Sequence, residues 1–442
     1  MKIIHTADLH LGQTIYQNYE RADEHAHFFA QLEKWCVDEK PDALVVSGDV
    51  FDVPQPSAAV KKEFNAHFVR LHALCPEMRI VVTAGNHDSA SRLEADRELW
   101  ELADAHVAGT PPPFADAVEG DAEDWRERFI VRLAKGYVVA LPHMNGTRTA
   151  QIQSILDKIE AENADGKPVV MTAHLALADS DTTGHDQIGG IATVPATVLG
   201  EGYDYLALGH IHRPQTLGAK PDVPGESVEL PAPVRRYSGS VLHVSCDETF
   251  PHSVSFVEID RHGGAVRVTP LRIDELRHFH VLPESGEAFA DAKKAVAAVK
   301  RFAEEKKSGY FRLRVRHDAD LPADFSQRIY EAIAPFGGEI RFNPKHVVEG
   351  APAPSEAAAE KPVFAVADLQ QMADPLEFIE KTIADYPGLD IDEVRGLFEE
   401  VREEARRLAD EAAKKEAEES ARKKKSAGTA ENDDEDADEG NA

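Results

Sequence analysis

The chain carries only three cysteines in 442 residues, Cys36, Cys75 and Cys246, and no CxxC pair. That excludes a disulfide framework and a thiolate zinc site, and it fits a reducing compartment. No apolar run approaches the ~18 residues that cross a bilayer, and Met1-Lys2-Ile3-Ile4-His5-Thr6-Ala7-Asp8 lacks the apolar stretch of a secretory signal. The expectation is a cytoplasmic protein without membrane contact. Basic residues are also scarce, 49 Lys and Arg against 79 Asp and Glu, which leaves a net charge of -30. Such a charge opposes nonspecific adhesion to DNA or anionic lipid, so any nucleic-acid contact has to be local, or be helped by a metal or a partner.

The remaining composition is ordinary, with 42% apolar and 29% charged residues, so most of the chain can fold. Its length exceeds what one core usually holds, and two or more structural units are expected. Residues 1 to about 210 alternate β-rich apolar runs (2–6, 43–47, 79–83, 137–141, 169–172, 205–208) with helix-period stripes such as Val60, Phe64, Phe68 and Leu71, or Ile152, Ile155, Leu156 and Ile159. This is an α/β layered pattern. The alternating runs 253–259 and 265–273 follow with no helix between them and predict a second, antiparallel sheet closing the domain, which is taken as 1–275.

From 276 to 348 the order helix (288–305), strand (310–316), helix (323–334), strand (339–342) predicts a small α+β module. Residues 349–362, rich in Ala, Pro and Glu, read as a linker, and 363–420 as amphipathic helices suited to docking on a partner. The tail 421–442, whose run Glu431 to Gly440 holds acids and no base, is expected to be disordered.

Five β-rich runs are each followed at once by potential metal ligands: Asp8 and His10, Asp49, Asn86 with His87, His174, and His210 with His212. Side chains at the carboxyl ends of neighbouring strands converge on one crevice, the usual place of an α/β active site. In Asp8-Leu9-His10 and His210-Ile211-His212 the polar residues are two apart, so on an extended segment both face one way while the apolar residue faces inward. Singly, such pairs are ordinary turn features; five in this order are not.

Carboxylate, amide and imidazole donors without thiolate suit borderline to hard divalent ions such as manganese or iron, with magnesium a further candidate, better than a closed zinc site. Seven donors (Asp8, His10, Asp49, Asn86, His174, His210 and His212) exceed the needs of one ion. Two divalent ions are therefore expected, with Asp49 bridging them at the ~3.5 to 4 Å of two-metal phosphoryl-transfer centres. Two dications with Asp8 and Asp49 leave about +2, or about +1 with a bridging hydroxide, enough to draw a phosphodiester to an acidic protein.

The blocks Asp8-Leu9-His10, Gly48-Asp49-Val50-Phe51-Asp52, Gly85-Asn86-His87-Asp88, Ala173-His174 and Gly209-His210-Ile211-His212 are similar in order and spacing to the five motifs of the calcineurin-like metallophosphoesterases. Within that superfamily, segments 5–13, 48–52, 84–89 and 207–213, with Tyr237-Ser238-Gly239-Ser240 and Asp247-Glu248, resemble the SbcD family, nuclease subunits of bacterial SbcC and SbcD DNA-break complexes. The resemblance runs from residue 1 to about 345 and is clearest to 250. Ala173 departs from the family's glycine before the histidine, but is also small.

The resemblance implies a metallophosphoesterase fold of two packed β-sheets flanked by helices, with a small α+β capping module and C-terminal partner-docking helices. It implies that Asp8, His10, Asp49 and His212 hold one ion, and Asp49, Asn86, His174 and His210 the other, most readily Mn2+. His87 would be the catalytic histidine, stabilising pentacovalent phosphorus or protonating the leaving 3′ oxygen, with Asp52 orienting it. The implied activity is hydrolysis of DNA, as a 3′ to 5′ double-strand exonuclease and a single-strand or hairpin endonuclease, in repair and recombination near the nucleoid. An SbcC-type ATPase would be the partner, and helices 57–74 and 92–102 would form a homodimer interface. A small-molecule or nucleotide phosphodiesterase of the same superfamily is the rival, sharing every ligand. A noncatalytic scaffold would be expected to lack ligands or His87, and none is missing.

Overall fold

Strand Lys2–Thr6 pairs in parallel with Ala43–Ser47, which pairs with Arg79–Thr83, which in turn pairs with Ala105–Ala108. Their near-continuous Ile, Val, Leu and Ala runs are what parallel strands covered on both faces require. On its other side Lys2–Thr6 pairs antiparallel with Ser253–Ile259, beyond which lie Ala265–Arg272 and Val228–Pro231, completing a seven-stranded sheet. A six-stranded sheet runs Gln215–Thr216, Val234–Tyr237, Tyr205–Gly209, Val169–His174, Gly136–Val139, Ile130–Leu133.

The two sheets meet in one buried cluster, Ile3, Val45 and Val81 of the first with Val138, Val170 and Tyr205 of the second. Helices Ala22–Glu39 and Ala58–Leu74 cover the outer face of the first sheet with Phe28, Phe29, Phe64 and Phe68. Helix Thr149–Glu162 covers the second with Ile152, Ile155, Leu156 and Ile159. The fold is thus the expected α/β arrangement of two packed sheets flanked by helices.

The computed structural model describes residues 1–349 apart from 17–18, 114–123, 184–192, 224, 245–247 and 249. The linker from 350, the docking helices, the acidic tail and Cys246 lie outside the described residues. By contacts the chain divides into Met1–Ala351 and Pro352–Ala442. Among the described residues no helix is long and apolar enough to cross a membrane.

Two expectations are corrected. The antiparallel run 253–273 does not form the second sheet; it extends the first. Ser253–Ile259 buries both faces, Val254 and Phe256 against the helices and Val257 and Ile259 against the opposing sheet, so it slots beside Lys2–Thr6. The helix expected over 92–102 is broken into Ala90–Leu93, a 3-10 turn Glu94–Asp96 and Arg97–Glu101. At the break, the Glu94 carboxylate accepts the N–H groups of Gly109 (2.8 Å) and Thr110 (3.0 Å).

Residues 279–349 build a separate sheet in which Gly309–Asp320 pairs in parallel with Phe279–Leu282, Phe289–Asp291 and Ile340–Glu349. Helices Ala292–Lys306 and Phe325–Ile333 pack on it around Val299, Phe302, Phe311, Ile329 and Phe342. Glu349, assigned by composition to the linker, instead ends a strand and pairs with Arg314. This module is tied to helix Ala22–Glu39 by charge: buried Glu24 accepts from Arg341 (2.9 Å) and the Tyr310 hydroxyl, and Arg277 bridges Asp23 (2.6 Å) and Glu339 (2.9 Å).

Candidate metal centre

Beyond Thr6 and Ser47 the chain leaves its strands in tight turns held to each other by main chain. The Asp8 N–H donates to Gly48 O (3.0 Å), His10 N–H to Asp49 O (3.1 Å) and Asp52 N–H to Leu11 O (3.1 Å). Asp8, His10, Asp49 and His210 adopt φ of 52°, 44°, 48° and 92°. For residues with a Cβ such conformations cost about 1–3 kcal/mol each and persist where the surroundings enforce them, characteristically at functional sites. Glycines make the close approach possible: a Cβ on Gly48 would strike the His174 ring, and one on Gly85 the Asp49 carboxylate.

These turns gather the seven candidate ligands. Donor atoms of Asp8, His10 and His212 lie within 4.8 Å of one another, as do those of Asp8, Asp49 and His174, and those of His10, Asp49 and His87. His174 Nδ1–H donates to Ser47 O (2.8 Å), which leaves Nε2 with a lone pair. That nitrogen is 3.1 Å from Asn86 Oδ1 and 3.3 Å from Asp49 Oδ2, and Asn86 Oδ1 is 2.9 Å from His210 Nδ1. The His174 Nε2 lone pair thus faces two oxygen acceptors, and acceptors facing acceptors need a cation or an added proton between them. His10, 2% exposed, has no hydrogen-bond partner on either ring nitrogen. An orphaned buried imidazole beside converging lone pairs fits a divalent-ion donor set.

His87 sits at the edge of this group, its ring 4.9 Å from that of His10. Its N–H donates to Asp49 Oδ1 (2.8 Å) and its Nδ1 to the carbonyl of Asp52 (2.8 Å). The contact between Asp52 and His87 is thus made by main chain, and the Asp52 carboxylate lies 3.4 Å from His10 Nδ1 instead.

The sequence assigns no role to three supporting residues. Asp88 accepts the N–H groups of Val50 (3.0 Å), Phe51 (2.9 Å) and Gly85 (2.8 Å), stapling two motif turns together. His143 Nδ1 donates to His174 O (3.0 Å). Glu248 Oε1 accepts from His212 Nδ1 (2.8 Å), which orients His212 and leaves its Nε2 for an ion. Only the resemblance flagged Glu248; no local pattern ties it to a histidine 36 residues away.

Burial lifts the Asp8 carboxyl to about 6, against the pull of His174. Burial would raise Asp49 as well, but His174 and His10 outweigh it and hold Asp49 far below the usual carboxylate range. His174, which burial alone would depress, is raised to about 9 by Asp49 and Asp8. His212 is held well below its usual value by burial and by His10. With no ion bound, a proton on His174 therefore balances Asp49.

A model of the calcineurin-like phosphoesterase family matches residues 1–214. The chain is 32% identical over 295 residues to the SbcD component of the SbcCD nuclease of Rhodobacter capsulatus, a match covering 61% of this chain and 69% of that protein. The chain belongs to the SbcD family. It is 29% identical over 276 residues to the corresponding SbcD protein of Escherichia coli K12 (58% of this chain, 65% of the relative). It is also 29% identical over 285 residues to that of Bacillus subtilis (58% and 66%). These matches span about two thirds of each relative's length. As a calcineurin-like phosphoesterase, this SbcD-family chain is a metal-dependent phosphodiesterase, and the clusters above are its candidate ion ligands.

Two expectations follow for this SbcD-family centre. An entering ion must displace the His174 proton, because a metal-bound imidazole nitrogen carries no proton. Since His174 stays protonated up to about 9 and Asp8 is lost as a charge below about 6, ion affinity should rise with pH from 6 to 9. Calorimetric titration with Mn2+ at pH 7.5, in buffers of differing ionisation enthalpy, should show at least one proton released per centre, from His174 with a share from His10, which burial lowers but Asp52 and Asp49 raise on balance; binding without release would contradict this. Glu248→Ala, which frees the His212 ring, should weaken Mn2+ affinity by about 10–100-fold. Unchanged affinity in the same titration would remove Glu248 from the centre.

Proposed function

We propose that this chain is the nuclease subunit of an SbcC–SbcD type complex that hydrolyses DNA phosphodiester bonds, trimming double-stranded ends 3′ to 5′ and opening single strands or hairpins. The observation that carries the reading is the convergence of carboxylate, amide and imidazole donors from five strand ends in overlapping clusters, with His87 beside them. Asp8, His10, Asp49 and His212 would hold one ion, and Asp49, Asn86, His174 and His210 the other, Mn2+ being the preferred metal. When bound, such a pair activates a water toward phosphorus and neutralises charge on the non-bridging oxygens.

The protein's own residues do the positioning. Asp8, Asp49 and His174 form the buried floor, while Asn86, His87 and His210 are more exposed and form the side open to substrate. The Asp52 carbonyl, by accepting from His87 Nδ1, leaves Nε2 to meet the phosphodiester. There it stabilises pentacovalent phosphorus or, when protonated, gives its proton to the leaving 3′ oxygen.

The module expected at 276–348, whose sheet runs from 279 to 349, is proposed to cap the DNA path, and the helices at 363–420 to dock on an SbcC-type ATPase that controls access. A homodimer interface is supported by Val69 (56% exposed), Leu74, Leu99 and Leu102 (83%). The two segments that carry them lie side by side, because Trp100 packs on Phe64 at 5.5 Å between ring centroids. The proposed setting is DNA repair and recombination in the nucleoid-associated cytoplasm.

The test is cleavage, with Mn2+, of double-stranded DNA labelled at its 5′ end, of a hairpin, of a single strand and of a small phosphodiester. Each is run with and without a co-purified SbcC-type ATPase and ATP. Stepwise shortening from the 3′ end and hairpin opening, both faster with partner and ATP, are expected. Hydrolysis confined to the small phosphodiester would return the chain to a small-molecule role.

A further inference from the structure

Glu248 has a second carboxylate oxygen, which accepts the Val244 N–H (3.0 Å) and faces a different histidine. Oε2 lies 3.6 Å from Nε2 of His252, a residue 0% exposed. His252 Nδ1–H donates to the Ser240 carbonyl (2.8 Å), so Nε2 carries a lone pair; it is buried and has no hydrogen-bond partner. The ring of His243 lies 4.2 Å from that of His252, and its Nδ1 is 3.6 Å from Glu275 Oε1. Donor atoms of His243, His252 and Glu275 all lie within 4.8 Å of one another.

None of these three residues serves the centre described above. A buried lone-pair nitrogen turned toward carboxylates, with no donor between, costs about 1–3 kcal/mol unless something positive is supplied. Arg21 does not supply it: its guanidinium donates to the His243 carbonyl and is matched by Glu24 at 2.8 Å. His243 and Glu275 also line a cavity of about 490 Å³, which gives an ion a way in and leaves room for a water.

We propose that His243, His252 and Glu275 bind a third divalent transition-metal ion, zinc by its donor set, separate from the hydrolytic pair. Two imidazoles and one carboxylate with a fourth position left to water is a set that zinc accepts at about 2.0–2.2 Å. Imidazole-rich donors favour zinc over manganese or magnesium. Closing the donors onto one ion asks most of Glu275, whose side chain borders the cavity at 12% exposure, with Oε2 held by His278 Nδ1 (3.2 Å) and Oε1 turned toward His243.

The ion would join three separate pieces of chain. His243 follows the Ser238-Gly239-Ser240 turn, His252 precedes strand Ser253–Ile259, and Glu275 lies in the connection from Ala265–Arg272 to Phe279–Leu282, the first strand of the C-terminal module. Zinc here would pin that connection to the nuclease domain. Glu248, shared by His212 and His252, would stand between the two centres.

The experiment strips the full chain with chelator, re-equilibrates it with Zn2+ and counts bound zinc by mass spectrometry, alongside a parallel Mn2+ count. The wild type should hold three zinc equivalents, and His243→Gln and Glu275→Ala two each. Melting temperature should rise with the third equivalent in the wild type alone. Should His243→Gln lose its circular-dichroism signal, Glu275→Ala at the cavity rim carries the comparison. Equal zinc counts in the wild type and Glu275→Ala overturn the proposal. The Mn2+ count, expected at two in every folded protein, reports the hydrolytic pair by itself, so failure there is read separately.

Discussion

Asp49→Asn should abolish phosphodiester hydrolysis while leaving the fold in place. Asparagine matches aspartate in shape, so a side-chain oxygen can still accept the His87 N–H that Asp49 Oδ1 accepts at 2.8 Å. What disappears is the charge. Asp49 is the main group holding the His174 proton and, among the described residues, the one carboxylate grouped with His10, His87 and His174. Ions in a two-metal centre supply several kcal/mol of transition-state stabilisation, and at 1.36 kcal/mol per decade their loss lowers kcat by about 10³-fold or more. Mn2+ binding should fall below two equivalents in the same protein. Proton release on binding should shrink too, because His174 without Asp49 drops back toward its ordinary range and no longer needs to be stripped of a proton at pH 7.5. Two tightly bound ions in the variant would show that Asp49 does not bridge.

His87→Ala should separate chemistry from metal binding. Among the described residues the His87 ring makes one hydrogen bond, to the Asp52 carbonyl, and the link to Asp49 runs through the main-chain N–H that alanine retains. Removing a positioned proton donor costs about 10²–10⁴-fold in kcat. The expected variant therefore binds two Mn2+ with unchanged affinity, has a similar KM and turns over slowly. His87 does lie within ligand range of His10 and Asp49, so the alternative outcome is informative. Loss of an ion together with activity would make His87 a ligand rather than the catalytic histidine.

The strand ends were legible in the sequence because chemistry and periodicity coincide there. Lys2–Thr6, Ala43–Ser47 and Arg79–Thr83 read directly as apolar runs, each followed at once by polar residues that a buried strand would not carry. The run 253–273 was misassigned because alternation reports a half-buried strand without saying which sheet receives it. Val257 and Ile259 face the sandwich interior only because Lys2–Thr6 offers them an edge. The break at Glu94 was invisible for a similar reason, since its partners Gly109 and Thr110 lie across a strand end.

Within the site, the sequence points to side-chain chemistry and misses support by main chain. The Asp52 carbonyl that meets His87 has no residue-type signature, whereas its carboxylate drew attention and lies against His10. Glu248 and Asp88 act through long-range contacts, to His212 and to the amides of two turns, that only the folded chain reveals. The glycines at 48 and 85 were visible as motif letters. The reason for them, the His174 ring and the Asp49 carboxylate occupying the space of a Cβ, belongs to the fold.

Anomalous diffraction at the manganese edge from Mn2+-soaked crystals of the whole chain reads the metal centre directly. Two peaks are expected, one bonded to Asp8, His10 and His212 and one to Asn86, His174 and His210, with the Asp49 carboxylate touching both. A single peak, or two peaks bonded elsewhere, would contradict the two-ion centre and the hydrolysis built on it.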